Sequence, residues 1–291
     1  MTEFEYIERY LRDVVNYEKR SEEDQNRIID ILKSIKAQAV QKNDQETAKQ
    51  VWCYEKINDI QQNYLSAFSK MKEGGFYEAW SLLEHIEIGL NSLVRHFVEN
   101  SDDVYKLKFI EKHNKQFQSL FPYKFFSSPA ILQLEKKCSI CDKVVSIREP
   151  CGHKKFEIYN GEECGYVITK IECLEISIVP DPIQKYSVLF VRDSETDQQF
   201  DHYDYSIVKY AVDGLRTPFD PWDLRWTKTR QPHSLFQHID SNDKCPCGSG
   251  KKYRKCCLRR SGVLRPHVEF LFHVPPPENL PKMIYPEYKE T

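Results

Sequence analysis

From Glu5 to about Leu120 the apolar residues recur at helical spacing, and Gly and Pro are nearly absent apart from the pair Gly74-Gly75. One stripe runs Val51, Tyr54, Ile57, Ile60, Tyr64, Phe68, Met71, and a second runs Phe76, Trp80, Leu83, Ile86, Leu90, Leu93, Phe97. Two such stripes joined by a short glycine turn predict an antiparallel helical hairpin. Weaker stripes over 3–18 and 21–42 predict further helix, with Ser21 as an N-cap ahead of acidic residues. The segment Gly75-Phe-Tyr-Glu-Ala-Trp80 has the flavour of a tetratricopeptide repeat, but no 34-residue self-match accompanies it, so a non-repeating bundle is expected.

At Phe121 the rhythm changes, and Pro becomes frequent from there on. Tyr166 to Val179 is β-branched and alternating, Pro180 to Pro182 turns the chain, and Tyr186 to Val191 is expected to return as a second strand. Ser206 to Leu215 reads as helix, and the stretch from Pro275 to Thr291 is too rich in Pro to fold alone. The expected fold is therefore α+β. A helical bundle over 1–125 precedes a small zinc-ribbon-like, β-rich domain over 126–240, a cysteine knob over 241–262 and a Pro-rich tail over 263–291.

Composition narrows the function classes. The 42 basic and 44 acidic residues leave a formal charge of -2, which gives no global attraction to nucleic acid or anionic membrane. No apolar run reaches the roughly 18–20 residues that span a bilayer, and the N-terminus has neither a basic start nor an apolar signal core. A cytoplasmic protein is expected. Of the ten cysteines, all but Cys53 follow residue 137, and eight fall in two tight clusters that suit a metal in a reducing compartment better than disulfides. Cys53 and Cys173 have no partner nearby in sequence and read as buried thiols. There is no phosphate loop, dinucleotide fingerprint or nucleophile elbow.

The downstream cluster is Cys245-Pro-Cys247-Gly-Ser-Gly-Lys-Lys-Tyr-Arg-Lys-Cys256-Cys257. Four thiolates at about 2.3 Å from one zinc require a tight turn, which Gly248 and Gly250 can supply with positive φ. Lys251, Lys252, Arg254 and Lys255 offset the charge of a four-thiolate site. These residues resemble the SEC-C motif, found at the C-terminus of the SecA preprotein translocase ATPase and in smaller bacterial proteins. The resemblance covers about thirteen residues, with Cys257 where SecA-type motifs often carry His. It implies bound zinc, or iron in some members, and a docking knob for a SecB-like chaperone or the ribosome. Such tails also occur in bacterial stress and phage-defence loci, so an antitoxin or antiviral accessory is a variant of the same reading.

Upstream, Cys138-Ser-Ile-Cys141 is the CxxC half of a second zinc site. Five candidates compete for four places; the favoured closed site is Cys138, Cys141, Cys151 and His153, with Cys164 as the reserve ligand or a thiol behind them. The surrounding segment looks like one found in other bacterial proteins that pair a small zinc element with a SEC-C tail. Two zinc ions are expected, both held by protein ligands alone, which argues against catalysis. His202 with Asp201, His233 and His238 have no spacing that specifies an acid/base site, and Trp222 and Trp226 are expected to cover the core.

The leading expectation is thus a non-enzymatic, zinc-binding adaptor for protein partners. The rivals are a nucleic-acid binder using Lys136-Lys137, Lys154-Lys155 and the basic run 251–260, and an enzyme with a site between the domains. Partner, pathway and oligomeric state are not encoded in any motif.

Overall fold

The computed structural model describes residues 2–98 and 102–281. The chain divides into two compact units, one made of 1–118 with 123–202 and the other of 119–122 with 203–291.

The first unit is built on helices. The first, α1 (Glu3–Arg12), starts with a capping box in which Thr2 and Glu5 bond each other's backbone N–H. A 3₁₀ stretch, Val14–Lys19, replaces the helix expected to continue to residue 18. Ser21 caps α2 (Glu22–Gln41) as anticipated, accepting from the Asp24 N–H while Asp24 accepts in return. Ser21→Ala should lower stability by about 1 kcal/mol, read from a urea titration, because one orphan N–H of the first turn loses its partner.

The long α3 (Gln45–Glu73) ends at left-handed Gly74, and α4 (Phe76–Leu93) runs back against it. The seam is the predicted stripe: Val51, Ile57, Ile60, Tyr64 and Met71 of α3 and Leu83, Ile86 and Leu93 of α4 are all buried. Gly89 allows the close crossing, since a Cβ there would stand 3.0 Å from Ile60 Cγ1. Gln61 is fully buried and donates to the carbonyls of Leu11 (2.9 Å) and Tyr105 (3.0 Å), tying α1 and the lead into α5 (Leu107–Leu120) to the centre of α3.

The strand reading needs two corrections. Tyr166–Val179 is a strand, β4, but its partner is β1 (Phe126–Cys138) and not the segment after Pro182. Residues 186–190 contribute one isolated bridge, Phe126 to Val188, and Val191–Arg192 (β5) pairs instead with Gln199–Phe200 (β6). The reason is tertiary. Trp80 donates its indole N–H to the Lys185 carbonyl (2.6 Å), Lys185 N–H donates to Glu84 (2.7 Å), and its ammonium pairs with Glu87, so this segment is held on α4. Between β1 and β4 lie the short strands β2 (Ile158–Tyr159) and β3 (Glu162–Glu163), joined at Asn160 and Gly161, both with positive φ.

In the second unit α6 (Ser206–Asp213) matches the sequence reading. Its core is the antiparallel pair β7 (Trp222–Gln231) and β8 (Val263–Phe272), paired without a register break from Trp222–Phe272 to Gln231–Val263. This departs from the expected boundaries, which put 263–291 in a tail and closed a domain at 240. Residues 263–272 complete a hairpin whose other strand precedes the cysteine knob, and residues 282–291 of the expected tail lie outside the described residues. Trp222 is fully buried, as expected of a core residue, whereas Trp226 is 48% exposed. On an antiparallel pair, positions an even number apart share a face, so a pattern of four assigns both to one side without fixing how far along the strand that side is covered.

Candidate metal centres

The downstream knob is an excursion between β7 and β8. His233–Phe236 makes a 3₁₀ turn after Pro232, and the chain returns through two more 3₁₀ turns, Tyr253–Lys255 and Cys257–Arg259. Gly248 and Gly250 have φ of 76° and 71°, the left-handed conformation anticipated for the turn between the cysteine pairs. Backbone bonds close it: Cys245 N–H to Lys251 carbonyl (2.7 Å), Gly248 N–H to Cys245 carbonyl (3.0 Å) and Tyr253 N–H to Asp243 carbonyl (2.8 Å).

This folding brings the thiols of Cys245, Cys247, Cys256 and Cys257 within 4.8 Å of one another. Cys247 and Cys256 sulfurs are 3.6 Å apart and those of Cys256 and Cys257 are 3.9 Å apart. A tetrahedron of sulfurs at the zinc–thiolate distance has edges of about 3.8 Å. The donor set therefore fits an ion of that size, and the distances exclude disulfides, which need about 2.05 Å. Cys245 and Cys257 are buried in a small core with Phe236, Ile239, Tyr253 and Val263. Around them Lys251, Lys252, Arg254, Lys255, Arg259 and Arg260 are all exposed.

His233, considered as an acid/base candidate, is a structural residue. Its ring bonds the Tyr253 hydroxyl at Nδ1 (2.6 Å) and the Arg260 carbonyl at Nε2 (2.9 Å), clamping both ends of the basic run. The sequence offered no signal for that pairing. Arg265 of β8 adds a bond to the Pro246 carbonyl.

The upstream centre closes the open end of the β1–β4 ribbon. Cys138 ends β1, Cys141 follows a turn in which Asp142 N–H returns to the Cys138 carbonyl (2.9 Å), and Cys151 and His153 come from the loop before β2. The structure groups Cys138, Cys141, Cys151 and His153, with ligand atoms within 4.8 Å of each other, and leaves Cys164 outside the set. Cys164 is fully buried, and its sulfur lies 3.8 Å from that of Cys138. His153 Nδ1 is 3.7 Å from the Cys138 sulfur, and the ring stacks edge-on against Tyr159.

The electrostatics separate these thiols. Burial raises the Cys138 thiol, but bonds from the Ile140 and Cys141 backbone and from the Cys141 and Cys164 side chains outweigh it and pull it to about 6. Cys164 is pushed up to about 11, by burial first and then by Cys138. In the pair the thiolate form falls to Cys138, which accepts from the Cys164 side chain. Downstream, burial raises Cys247, yet bonds from Ser249 and Cys245 prevail and bring it to about 6; Cys245 is pushed up to about 12, chiefly by burial.

The upstream knuckle is fastened to the helices of its own unit. Lys36 of α2 bridges Glu55 (2.6 Å) and Glu162 (2.9 Å), Gln45 bonds Asn160 through both its amide atoms (2.7 and 2.9 Å), and Ser92 bonds Glu163. His96 Nε2 bonds the Phe156 carbonyl (2.7 Å), and the Arg95 guanidinium lies 4.1 Å from the Phe156 ring centre. Glu162 and Glu163 are thus engaged by Lys36 and Ser92. Cys53 is buried, as expected, with its thiol pushed up to about 11 by burial; Cys173 is exposed, contrary to expectation.

Among the described residues no helix is long and apolar enough to cross a membrane. Comparison with known proteins gives the knob a family: the SEC-C motif model matches residues 242–259. The protein translocase subunit SecA of Carboxydothermus hydrogenoformans is 29% identical over 182 residues, which is 60% of this chain and 18% of that protein. The SecA of Clostridium tetani is 35% identical over 94 residues (27% of this chain, 10% of that one), and that of Thermodesulfovibrio yellowstonii 56% over 32 residues (11% and 4%). The chain thus spans less than a fifth of the length of these relatives. No solved structure matches it. With four thiols gathered at metal-ligand spacing and the family model matching over the same residues, the chain carries a SEC-C motif, a metal-binding element, at 242–259.

Proposed function

We propose that this protein is a zinc-binding adaptor, not an enzyme, in which the SEC-C knob docks a protein partner and the helical unit serves a separate recognition role. The observation that carries the reading is the combination of a four-thiol site, half of it buried, with six exposed cations on the same short excursion. A staple needs the thiols alone. The cations are positioned for an acidic surface, because His233 and Tyr253 fix the run that bears them.

The donor chemistry supports zinc. Four soft thiolates select zinc over hard cations, and three thiols with an imidazole do the same upstream. With every coordination place filled by protein, neither ion has room for an activated water, so the role is structural. Iron at the SEC-C site is the alternative that metal analysis separates. By the SEC-C resemblance, a SecB-like chaperone is the first partner to test and the ribosome the second, in a bacterial cytoplasm. A stress or phage-defence accessory is the setting this would fit.

Two measurements test the reading. Elemental analysis of the purified chain should give two zinc per chain. Titration against a purified SecB-like chaperone and against ribosomes should show binding that disappears in the Cys256→Ser plus Cys257→Ser variant. Unchanged binding by that variant would refute docking through the knob. Binding confined to naked RNA or DNA, falling steeply with salt, would favour a nucleic-acid interface on the same basic run.

A further inference from the structure

The β1–β4 ribbon has 13 and 14 residues in its strands, about 45 Å of extended chain. Every position of β4 from Tyr166 to Ile176 is exposed. Cross-strand pairing shows that this exposure is not random. Following the pairs through the three register breaks, alternate pairs put Tyr166, Ile168, Ile171, Cys173, Ile176 and Ile178 on one face of β4. That face is wholly apolar, and its aromatic and isoleucine side chains are 36–70% exposed. The other face carries Lys170, Glu172, Glu175 and Ser177 between Val167 and Val179.

The two edges of the ribbon also differ. Along β1, Pro129 lacks an N–H, and Ser127 N–H is already bonded to the Ser187 carbonyl (2.8 Å) beside the Phe126 to Val188 bridge. Along β4 there is no Pro or Gly, and among the described residues no strand pairs with its outer edge. An open, apolar-faced edge of this length is a template for another strand.

We infer that the outer edge of β4 pairs antiparallel with β4 of a second copy about a two-fold axis at Ile171, joining two ribbons into a four-stranded sheet. The occupant follows from the charges. An antiparallel pair related by a two-fold keeps each face on its own side, so apolar residues meet apolar residues. Ile168 then lies opposite the second copy's Leu174, and Tyr166 opposite its Ile176. Placing the axis at Ile171 sets Lys170 opposite the second copy's Glu172, twice by symmetry. Centring on Cys173 would bring no opposite charges together, and centring on Glu172 would oppose that residue to itself. Opposite charges directly opposed are stabilising and like charges destabilising, so Ile171 is the favoured centre.

The test is sedimentation equilibrium of the intact, metal-loaded chain over a concentration series, with metal content and circular dichroism as folding controls. A monomer–dimer equilibrium is expected. Glu172→Lys, which sets Lys against Lys170, should weaken it about ten-fold. Adding Lys170→Glu to that variant should restore it. In a Cys173→Ser background, Ile171→Cys should give a disulfide-linked dimer on mild oxidation, and Glu175→Cys should not. A chain that stays monomeric at all concentrations overturns the inference, as does a dimer indifferent to Glu172→Lys or not rescued by the charge exchange. Protection of β4 amides by a different protein on a monomeric chain would overturn it equally.

Discussion

Cys245→Ser is expected to remove one metal per chain and to open the whole knob from Phe236 to Val263, while the upstream centre stays loaded. The reason is that metal site and local core are one object. Cys245 and Cys257 pack among Phe236, Ile239, Tyr253 and Val263, so two of the thiols that would hold the ion are also members of the local core. Structural zinc in small peptides is worth roughly 10–16 kcal/mol of apparent binding free energy, far more than such a core supplies. Limited proteolysis should then cut within the basic run 251–260, where intact protein resists, and elemental analysis should give one ion in place of two. Two ions retained by the variant would show that the thiol is not a ligand.

Cys164→Ser is the matching contrast. Cys164 lies outside the grouped four with its sulfur 3.8 Å from that of Cys138, so both ions should be retained, with weaker affinity upstream from the lost sulfur contact. Acidity should act on both centres in the same direction. Cys138 and Cys247 are depressed to about 6 from the ordinary thiol value of 9.0, so their contribution is complete above that value and lost as the pH falls through about 6. Because metal binding needs the thiolates, acidification should release metal from both centres, read as metal content across a pH series.

The second large effect is expected at Trp80, in the other unit. Its ring packs against Tyr123 (centroids 5.1 Å apart) and stacks on Phe126 (6.3 Å), the first residue of β1, and its N–H holds the Lys185 carbonyl at 2.6 Å. Trp80→Ala removes a buried aromatic and frees the polar group it satisfied, at a cost of about 3–5 kcal/mol. For a unit of this size that is a fall of roughly 10 °C in melting temperature. The change should also raise hydrogen exchange over 185–188 and at the start of β1, because one side chain fastens both. Trp80→Phe keeps most of the packing and should lose only about 1–2 kcal/mol. A shift in melting temperature of less than 2 °C for Trp80→Ala would deny it that role.

Much of the site was legible without coordinates, for a local reason. The SEC-C thiols lie within thirteen residues, so the turn that gathers them is dictated by Gly248 and Gly250, and both adopt the positive φ that their lack of a Cβ permits. The helical half was legible too, because the stripe from Val51 to Met71 and its counterpart in α4 repeat often enough to specify a buried seam. Ser21 announced its helix by side-chain chemistry alone. In each case the information sits within a few residues of the structure it determines.

What was not legible depended on residues far apart in the chain. Tyr186 to Val191 has the composition of a strand but is held by Trp80, Glu84 and Glu87 of α4, some 100 positions earlier, so β4 pairs with β1 instead. Residues 263–272 look like the start of a tail until they pair with 222–231 across the knob. The clamp of His233 on Tyr253 and Arg260 is set by distances that spacing does not encode. Sequence by itself determined the helices, the metal-binding chemistry and the SEC-C turn, since propensity, periodicity and ligand spacing are local. Only the tertiary structure decided strand partners and which apolar face of β4 remains uncovered, because each of these is a competition between distant groups for the same partner.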